Sequence, residues 1–388
     1  MGLFRIDFVD FMKRKVMYIT GTRADYGLMH KTLELLNNDA SIQLDIVATG
    51  MHLMEEFGYS VDEIKKDNFD LHIINRTFLK DNKESMSLFI GGLIVDLTKL
   101  MSEINPDIVL LLGDRGEMLA GAVVASYLQI PIAHVHGGDV SSTVDDSARH
   151  AITKLANIHF PATKKSASRI KQMGETTENI FVVGAPGLDD IIHNVKNIDL
   201  SMLKEKYSLN KPFVLILQHP VSLEEQDSAI QIKETLDAVS ITDYQGIVIY
   251  PNADAGGRAM IDVINQYDFD TYKNIPRNDF IGLLSIADIL IGNSSSGIIE
   301  SSSLKLPVIN IGTRQQGREK AENVVDVDYN HDEIYDAINF IKTEEYQDIL
   351  KNCINPYGEG KASERIYNIL KSISINNDLL NKQFKELM

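Results

Sequence analysis

Cysteine is nearly absent: Cys353 stands alone among 388 residues. That excludes a disulfide framework, a CxxC redox pair and a cysteine-built zinc site. A reducing, cytoplasmic compartment fits such usage. Basic charge is also short. Lys and Arg number 38 against 55 Asp and Glu, a formal net charge of −17. So acidic a chain does not hold nucleic acid by general electrostatics. A small anion is still within reach, because local arginines and helix N-termini can outweigh the global field. No apolar run reaches the roughly 18 residues of a membrane helix, so no membrane partner is expected. The opening MGLFRIDFVDF is no signal peptide, since Asp7 and Asp10 interrupt its apolar stretch. Ile6 stands where a myristoylation signal needs Ser or Thr. Residues 1–11 are expected to be a dispensable extension. There is no low-complexity tract and no fixed-period repeat. The tripeptide GTR at 21–23 and 312–314 does not amount to a duplication.

What is present is a strand-then-helix rhythm. Short, continuous Val, Ile and Leu runs occur at 16–20, 44–49, 107–113, 130–136, 180–184, 213–218, 246–250, 288–292 and 306–312. Parallel strands covered on both faces read this way. Helix-length segments lie between them at 28–36, 85–104, 117–128, 147–157 and 222–239. The alternation predicts an α/β fold with parallel sheets. The strands fall into two groups, separated by a polar stretch ending in Lys211-Pro212. The expected architecture is two doubly wound, Rossmann-like domains facing a central cleft. The first covers 1–190 and the second covers 191–365. A helical tail, 366–388, is expected to pack back on the first domain.

Each strong motif sits where a strand ends, which is where ligands bind in such sheets. GTRADYG (21–27) supplies a tight turn and Arg23, whose fork suits phosphate or carboxylate. It is not GxGxxG, so the dinucleotide fingerprint is missing. LLLGDRGE (110–117) delivers Asp114 and Arg115, suited to acid/base work and anion clamping, although Asp114 could equally cap the next helix. AHVHGGD (133–139) places His134 and His136 on one strand face, and VDDSARH (144–150) places Asp145 and Asp146 at a helix start. A metal there would need a third or fourth ligand with outer support, so no metal is expected. One of the two histidines is expected to be structural, bonded to a backbone carbonyl. QHPVS (218–222) ends a strand at His219, which can carry a proton near neutral pH. ILIGNSSSG leads into a helix, with Ser294, Ser295, Ser296 and Gly297 forming a phosphate cradle without a Walker lysine. Glu300 lies one turn on and suits ribose hydroxyls; Arg314 and Arg318 follow the next strand and can neutralise phosphates.

Together these residues resemble the hydrolysing UDP-N-acetylglucosamine 2-epimerase family. The resemblance runs from about Lys15 to about Leu370 and rests on GTRADYG, GDR, HGGD followed by DDSxRHAITK, HPV, PNxDAG, NIPR and IGNSSSG followed by PVINIGTRQxGRE. It implies a GT-B type two-domain fold and conversion of UDP-N-acetylglucosamine to N-acetylmannosamine and UDP in sialic acid biosynthesis, with no cofactor. It implies loss of the C2 proton and of UDP to give a glycal, then addition of water. By the same resemblance, the catalytic aspartates fall on Asp114 and Asp145, and the diphosphate-facing histidine on His219. Nucleotide contacts fall on Arg23, Asn252, Ser294, Ser295, Glu300 and Arg318. Many members carry Glu where this chain has His136, which then takes the auxiliary acid/base place. Related enzymes act on UDP-N,N'-diacetylbacillosamine, so that substrate stays open, as do a non-hydrolysing epimerase, a GT-B glycosyltransferase and a non-catalytic nucleotide-sugar regulator. The non-hydrolysing relatives usually have Pro-Glu after GTR, whereas Ala24-Asp25 follow here. A homodimer or homotetramer is implied by resemblance alone.

Overall fold

The computed structural model describes residues 13–55, 58–78, 82–140, 145–251 and 256–386. Six strands form a first parallel sheet: β1 (Arg14–Thr20), β2 (Ile42–Ala48), β3 (Asp70–Ile73), β4 (Ile108–Leu112), β5 (Ile132–Val135) and β6 (Ile158–Phe160). Their spatial order is β3-β2-β1-β4-β5-β6. A second parallel sheet holds β7 (Phe213–Leu217), β8 (Gln245–Ile249), β9 (Asp270–Tyr272), β10 (Ile289–Gly292), β11 (Val308–Ile311) and β12 (Val324–Val327). Its order, β12-β11-β10-β7-β8-β9, is the same winding repeated. In each sheet the strand order reverses at one point, between β1 and β4 and between β7 and β10, and such points open a ligand crevice.

Helices cover both faces of both sheets. Alternate β1 residues separate into two cores: Val16 and Tyr18 pack with Met29 and Leu33 of the helix Arg23–Asn37. Met17 and Ile19 pack with Leu93 and Leu97 of the helix Lys83–Ile104. The second sheet divides in the same way. The helix window Glu84–Ile104 has a mean hydropathy of 1.3, enough by length and composition to cross a membrane. This departs from the expectation of no such segment. Its Phe89, Leu93, Leu97 and Met101 stripe faces the sheet, while Leu88 and Val95 are exposed.

Besides the buried, three-residue β6, the edge strands β3, β9 and β12 are not among the expected apolar runs. They are half-exposed and carry Asp, His or Thr, so they lack a continuous apolar signature. The run 180–184 is not a strand. It lies extended beside β6, joined to it by an isolated bridge from His159 to Ile180. The three-residue β6 is the true member there.

The halves touch through a small apolar cluster. Ala162, Ala185, Leu188 and Ile191 meet Ile281, Ile298 and Tyr357. The helix Ala362–Ser372 returns to the first half, where Ile366 and Leu370 enter its core. Asp189 caps that helix by accepting the Ala362 and Ser363 N–H groups at 3.1 and 2.6 Å.

Candidate active site

The carboxyl ends of β4 and β5 and the helix Asp145–Leu155 meet at one buried guanidinium. Arg149 is 2% exposed. It forms ion pairs with Asp114 and Asp146 and donates to the Asp139 carbonyl at 3.1 Å. Asp114 therefore does not cap the next helix; Arg115 occupies that cap position. Two acids and an arginine that fits both would be prohibitively costly to bury apart, and together they satisfy one another. Arg149 is the functional candidate that sequence reasoning missed. The signal was DDSARH itself, where Asp146 and Arg149 are one helical turn apart. Asp145 opens that helix, but its side chain lies outside the described residues, as does all of Asn252.

His134 and His136 divide as the motif suggested. His134 is fully buried, with Nε2 2.7 Å from the Gly113 carbonyl and Nδ1 3.2 Å from the Thr153 hydroxyl. Both ring nitrogens are used, so it is structural. His136 stays partly open and pairs with Asp139 through Nδ1 at 3.2 Å. The chain then turns through Gly138 at φ +76°, where a Cβ would lie 2.3 Å from the Ser166 carbonyl. Only glycine fits so close an approach.

Arg23 and Arg115 line the β1 and β4 ends. Arg23 pairs with Glu63 at 2.9 Å and Arg115 with Glu117 at 3.3 Å. Asp25, inside GTRADYG, accepts the Gly21 and Thr22 N–H groups at 3.1 Å each, which holds the turn.

In the second half, Asn293 fastens the His219 turn. Its Oδ1 accepts the His219 N–H at 2.7 Å, and its Nδ2 donates to the His219 carbonyl at 2.8 Å. Burial, then the Arg314 charge, push the His219 pKa down to about 3, so the ring is neutral at pH 7. The serine loop begins a helix of only 5 residues, Ser295–Ile299. The Ser294 hydroxyl is the cap, accepting from the Ser296 N–H at 3.3 Å. That contact takes up the Ser296 N–H, one of the backbone donors of the expected cradle, and leaves the Ser294 O–H able to donate. Gly297 is buried within the same helix. Glu300 is 1% exposed; one oxygen accepts from Arg277 Nη2 at 2.9 Å, and the other has no partner among the described residues. Arg277, in the NIPR motif, also donates to the Gly187 carbonyl at 3.2 Å, tying the two halves together.

The loop after β11 crosses to the first half. Gly317 packs against Val140, and Glu319 accepts from the Thr163 hydroxyl. Arg318 lies between these contacts, close enough for its charge to act on both Asp139 and Arg149. Its Nε is buried and has no partner among the described residues. A buried Nε–H left unsatisfied beside the buried Arg149 is a position that an anion would complete.

Burial also sets a pH dependence. It pushes His134 down to about 3, and with the Arg115 charge it pushes His52 down to about 4. The unfolded chain takes up protons on these rings below about pH 6.5 and the folded one does not. Stability is therefore lost on acidification from about 6.5, at roughly 1.4 kcal/mol per ring per pH unit. Asp25 acts oppositely. Burial raises it to about 6, so it regains some stability as pH falls from there. The imidazoles outweigh it, and Tm should fall between pH 7.5 and 5.5. A Tm that is flat or rises across that interval, measured by circular dichroism, would contradict the buried neutral rings.

A family profile described as UDP-N-acetylglucosamine 2-epimerase matches residues 34–371. The UDP-N,N'-diacetylbacillosamine 2-epimerase (hydrolyzing) of Legionella pneumophila is 43% identical over 382 residues, covering 96% of this chain and 99% of that protein. The UDP-N-acetylglucosamine 2-epimerase of Neisseria meningitidis is 34% identical over 332 residues, covering 84% of this chain and 86% of that protein. In fold, the chain is similar to the crystal structure of a Neisseria meningitidis UDP-GlcNAc 2-epimerase bound to UDP-GlcNAc. The TM-score is 0.79 at 19% identity, over 92% of this chain and 99% of that one.

Proposed function

Since the chain belongs to the UDP-N-acetylglucosamine 2-epimerase family, we propose that it is a hydrolysing 2-epimerase of a UDP-linked 2-acetamido sugar, with UDP-N,N'-diacetylbacillosamine its first substrate. The observation that carries the UDP part is Arg318, a half-buried residue whose buried Nε has no partner among the described residues and which faces the Asp139–Arg149 cluster across the cleft. The choice of sugar is supported by 43% identity to the Legionella enzyme against 34% to the Neisseria one. UDP-N-acetylglucosamine, which leads to N-acetylmannosamine and sialic acid, is the second reading.

The chemistry begins at the C1–O bond. As it breaks, the electron pair leaves on the diphosphate and positive charge grows at C1, which makes the C2 proton acidic. Arg318, the backbone donor at Ser295, the serine hydroxyls and the neutral imidazole of His219 meet the departing charge. Arg23, Glu300 and Asn252 hold the nucleoside. A base removes the C2 proton, leaving a glycal and UDP. Water then adds its hydroxyl to C1 while C2 is protonated on the opposite face. Asp114 and Asp145 are assigned the proton transfers, with His136 alongside. Arg149 holds Asp114, and Arg115 lines the sugar side. No step needs a metal or nicotinamide. The same reading places the protein in the cytoplasm as a homodimer or homotetramer, which sedimentation of the purified protein would show.

The test is proton NMR in D₂O with each UDP-sugar separately. Free UDP plus a 2-epimeric sugar carrying deuterium at C2 is expected. Sugar transfer to an acceptor without solvent deuterium would indicate a transferase, and retention of the UDP-sugar with C2 exchange a non-hydrolysing epimerase. Silence with both sugars would overturn the proposal.

A further inference from the structure

Asp139 has no role in the reaction as described. It is 4% exposed, and each of its oxygens is engaged. Oδ2 lies 3.2 Å from His136 Nδ1, Oδ1 accepts the Ser166 hydroxyl at 2.6 Å, and the carbonyl accepts Arg149 Nη1 at 3.1 Å. Ser166 is itself fixed, its N–H donating to the Thr163 hydroxyl at 3.1 Å. Burial works to raise the Asp139 carboxyl. The hydrogen bonds from His136 and Ser166 and the Arg318 charge outweigh it and leave Asp139 below the ordinary carboxylate range. The group is therefore ionised and can only accept.

That settles which nitrogen of His136 carries the proton. A carboxylate facing Nδ1 requires Nδ1–H, so in the neutral ring Nε2 keeps its lone pair. The backbone holds the ring from the other side. His136 adopts φ +61°, a conformation rare for a residue with a side chain, and its N–H donates to the Phe160 carbonyl at 3.1 Å. The neighbouring His134 is already committed to Gly113 and Thr153 and does not compete.

We propose that Asp139 is the positioning residue of a carboxylate–imidazole pair, in which His136 presents an unprotonated Nε2 to the sugar as a proton acceptor. This rests on the reading above that a UDP-sugar fills the cleft. In the elimination, Nε2 takes the proton from C2. The former C2–H pair becomes the C1=C2 bond of the glycal, and the C1–O pair leaves on UDP. The imidazolium so formed is held by the Asp139 carboxylate. The pair gives this chain a base at a position where many relatives carry a carboxylate directly.

Two measurements test it. Long-range ¹H–¹⁵N NMR of histidine-labelled full-length protein at pH 7.5 should show the ring that disappears in His136→Asn as the Nδ1–H tautomer, with an unprotonated Nε2. Asp139→Asn should shift that ring toward Nε2–H. In turnover, Asp139→Asn should lower kcat on the order of 10² to 10⁴ with KM nearly unchanged, because the tautomer is wrong. Asp139→Glu should recover part of the rate, and Asp139→Asn should add nothing in a His136→Asn background. A wild-type Nε2–H tautomer would overturn the pair. So would an Asp139→Asn loss of equal size with and without His136, which would make Asp139 structural only. If Asp139→Asn does not fold, the wild-type tautomer still decides. If the wild type turns over neither UDP-sugar, the epimerase reading falls while the NMR result still judges the pair.

Discussion

Arg149→Met is expected to be the most damaging single substitution in the first half. It would leave the Asp114 and Asp146 carboxylates facing one another without their shared cation. The cost falls below the about 3–5 kcal/mol of a fully buried pair, because the Asp114 and Asp146 side chains keep 25% and 20% exposure. The loss of fit should also lower turnover by on the order of 10² or more, because displacing a reacting group by about 1 Å has that effect. Arg149→Lys keeps the charge but cannot serve both carboxylates and the Asp139 carbonyl with one planar fork. It should recover stability more than rate. The double variant Arg149→Met with Asp114→Asn should be more stable than Arg149→Met alone, since one stranded charge is gone, yet remain inactive. Denaturant midpoints and initial rates read these separately. Wild-type stability in Arg149→Met would show that the cluster is not coupled as described.

The second large effect is expected in Asp114→Asn, and there it should be kinetic. The amide oxygen can still accept from Arg149, and Asp146 still pairs with it, so the fold should hold. What is lost is the group to which the proposal gives a proton transfer, a contribution on the order of 10² to 10⁴ in rate. UDP affinity should be little changed by titration calorimetry, because the diphosphate contacts proposed above lie on the second sheet. Near-normal turnover would remove Asp114 from the chemistry. A large loss of UDP binding would instead move it to the nucleotide side. Taken with Arg149→Met, the pair of results separates the group that acts from the group that holds it.

The central strands were legible because they are buried on both faces. Runs such as Ile108–Leu112 and Phe213–Leu217 are apolar at every position, and a strand in the middle of a covered parallel sheet has no face to spare for polar residues. The edge strands were not legible for the converse reason. Asp270–Tyr272 has a neighbour on one side only and tolerates polar residues. The run 180–184 is as apolar as a true strand and lies along the edge of β6, but composition alone does not distinguish lying beside a sheet from joining it. The motifs were found where they stand because glycine, serine and charge at the end of an apolar run have a local signature.

The sequence by itself determined the class of fold, the two-sheet division and the strand ends at which the candidate residues stand. All of these follow from patterns within about ten residues of chain. Partnership was decided by the tertiary structure alone. That Arg149 serves Asp114, 35 positions away, that Asn293 fastens the His219 turn, and that Arg318 reaches across to Asp139 depend on which strand ends meet. A side chain's charge is written in its own residue, but its pKa, its tautomer and its partner are set by what burial places against it. Those neighbours come from strands and helices far apart in the chain.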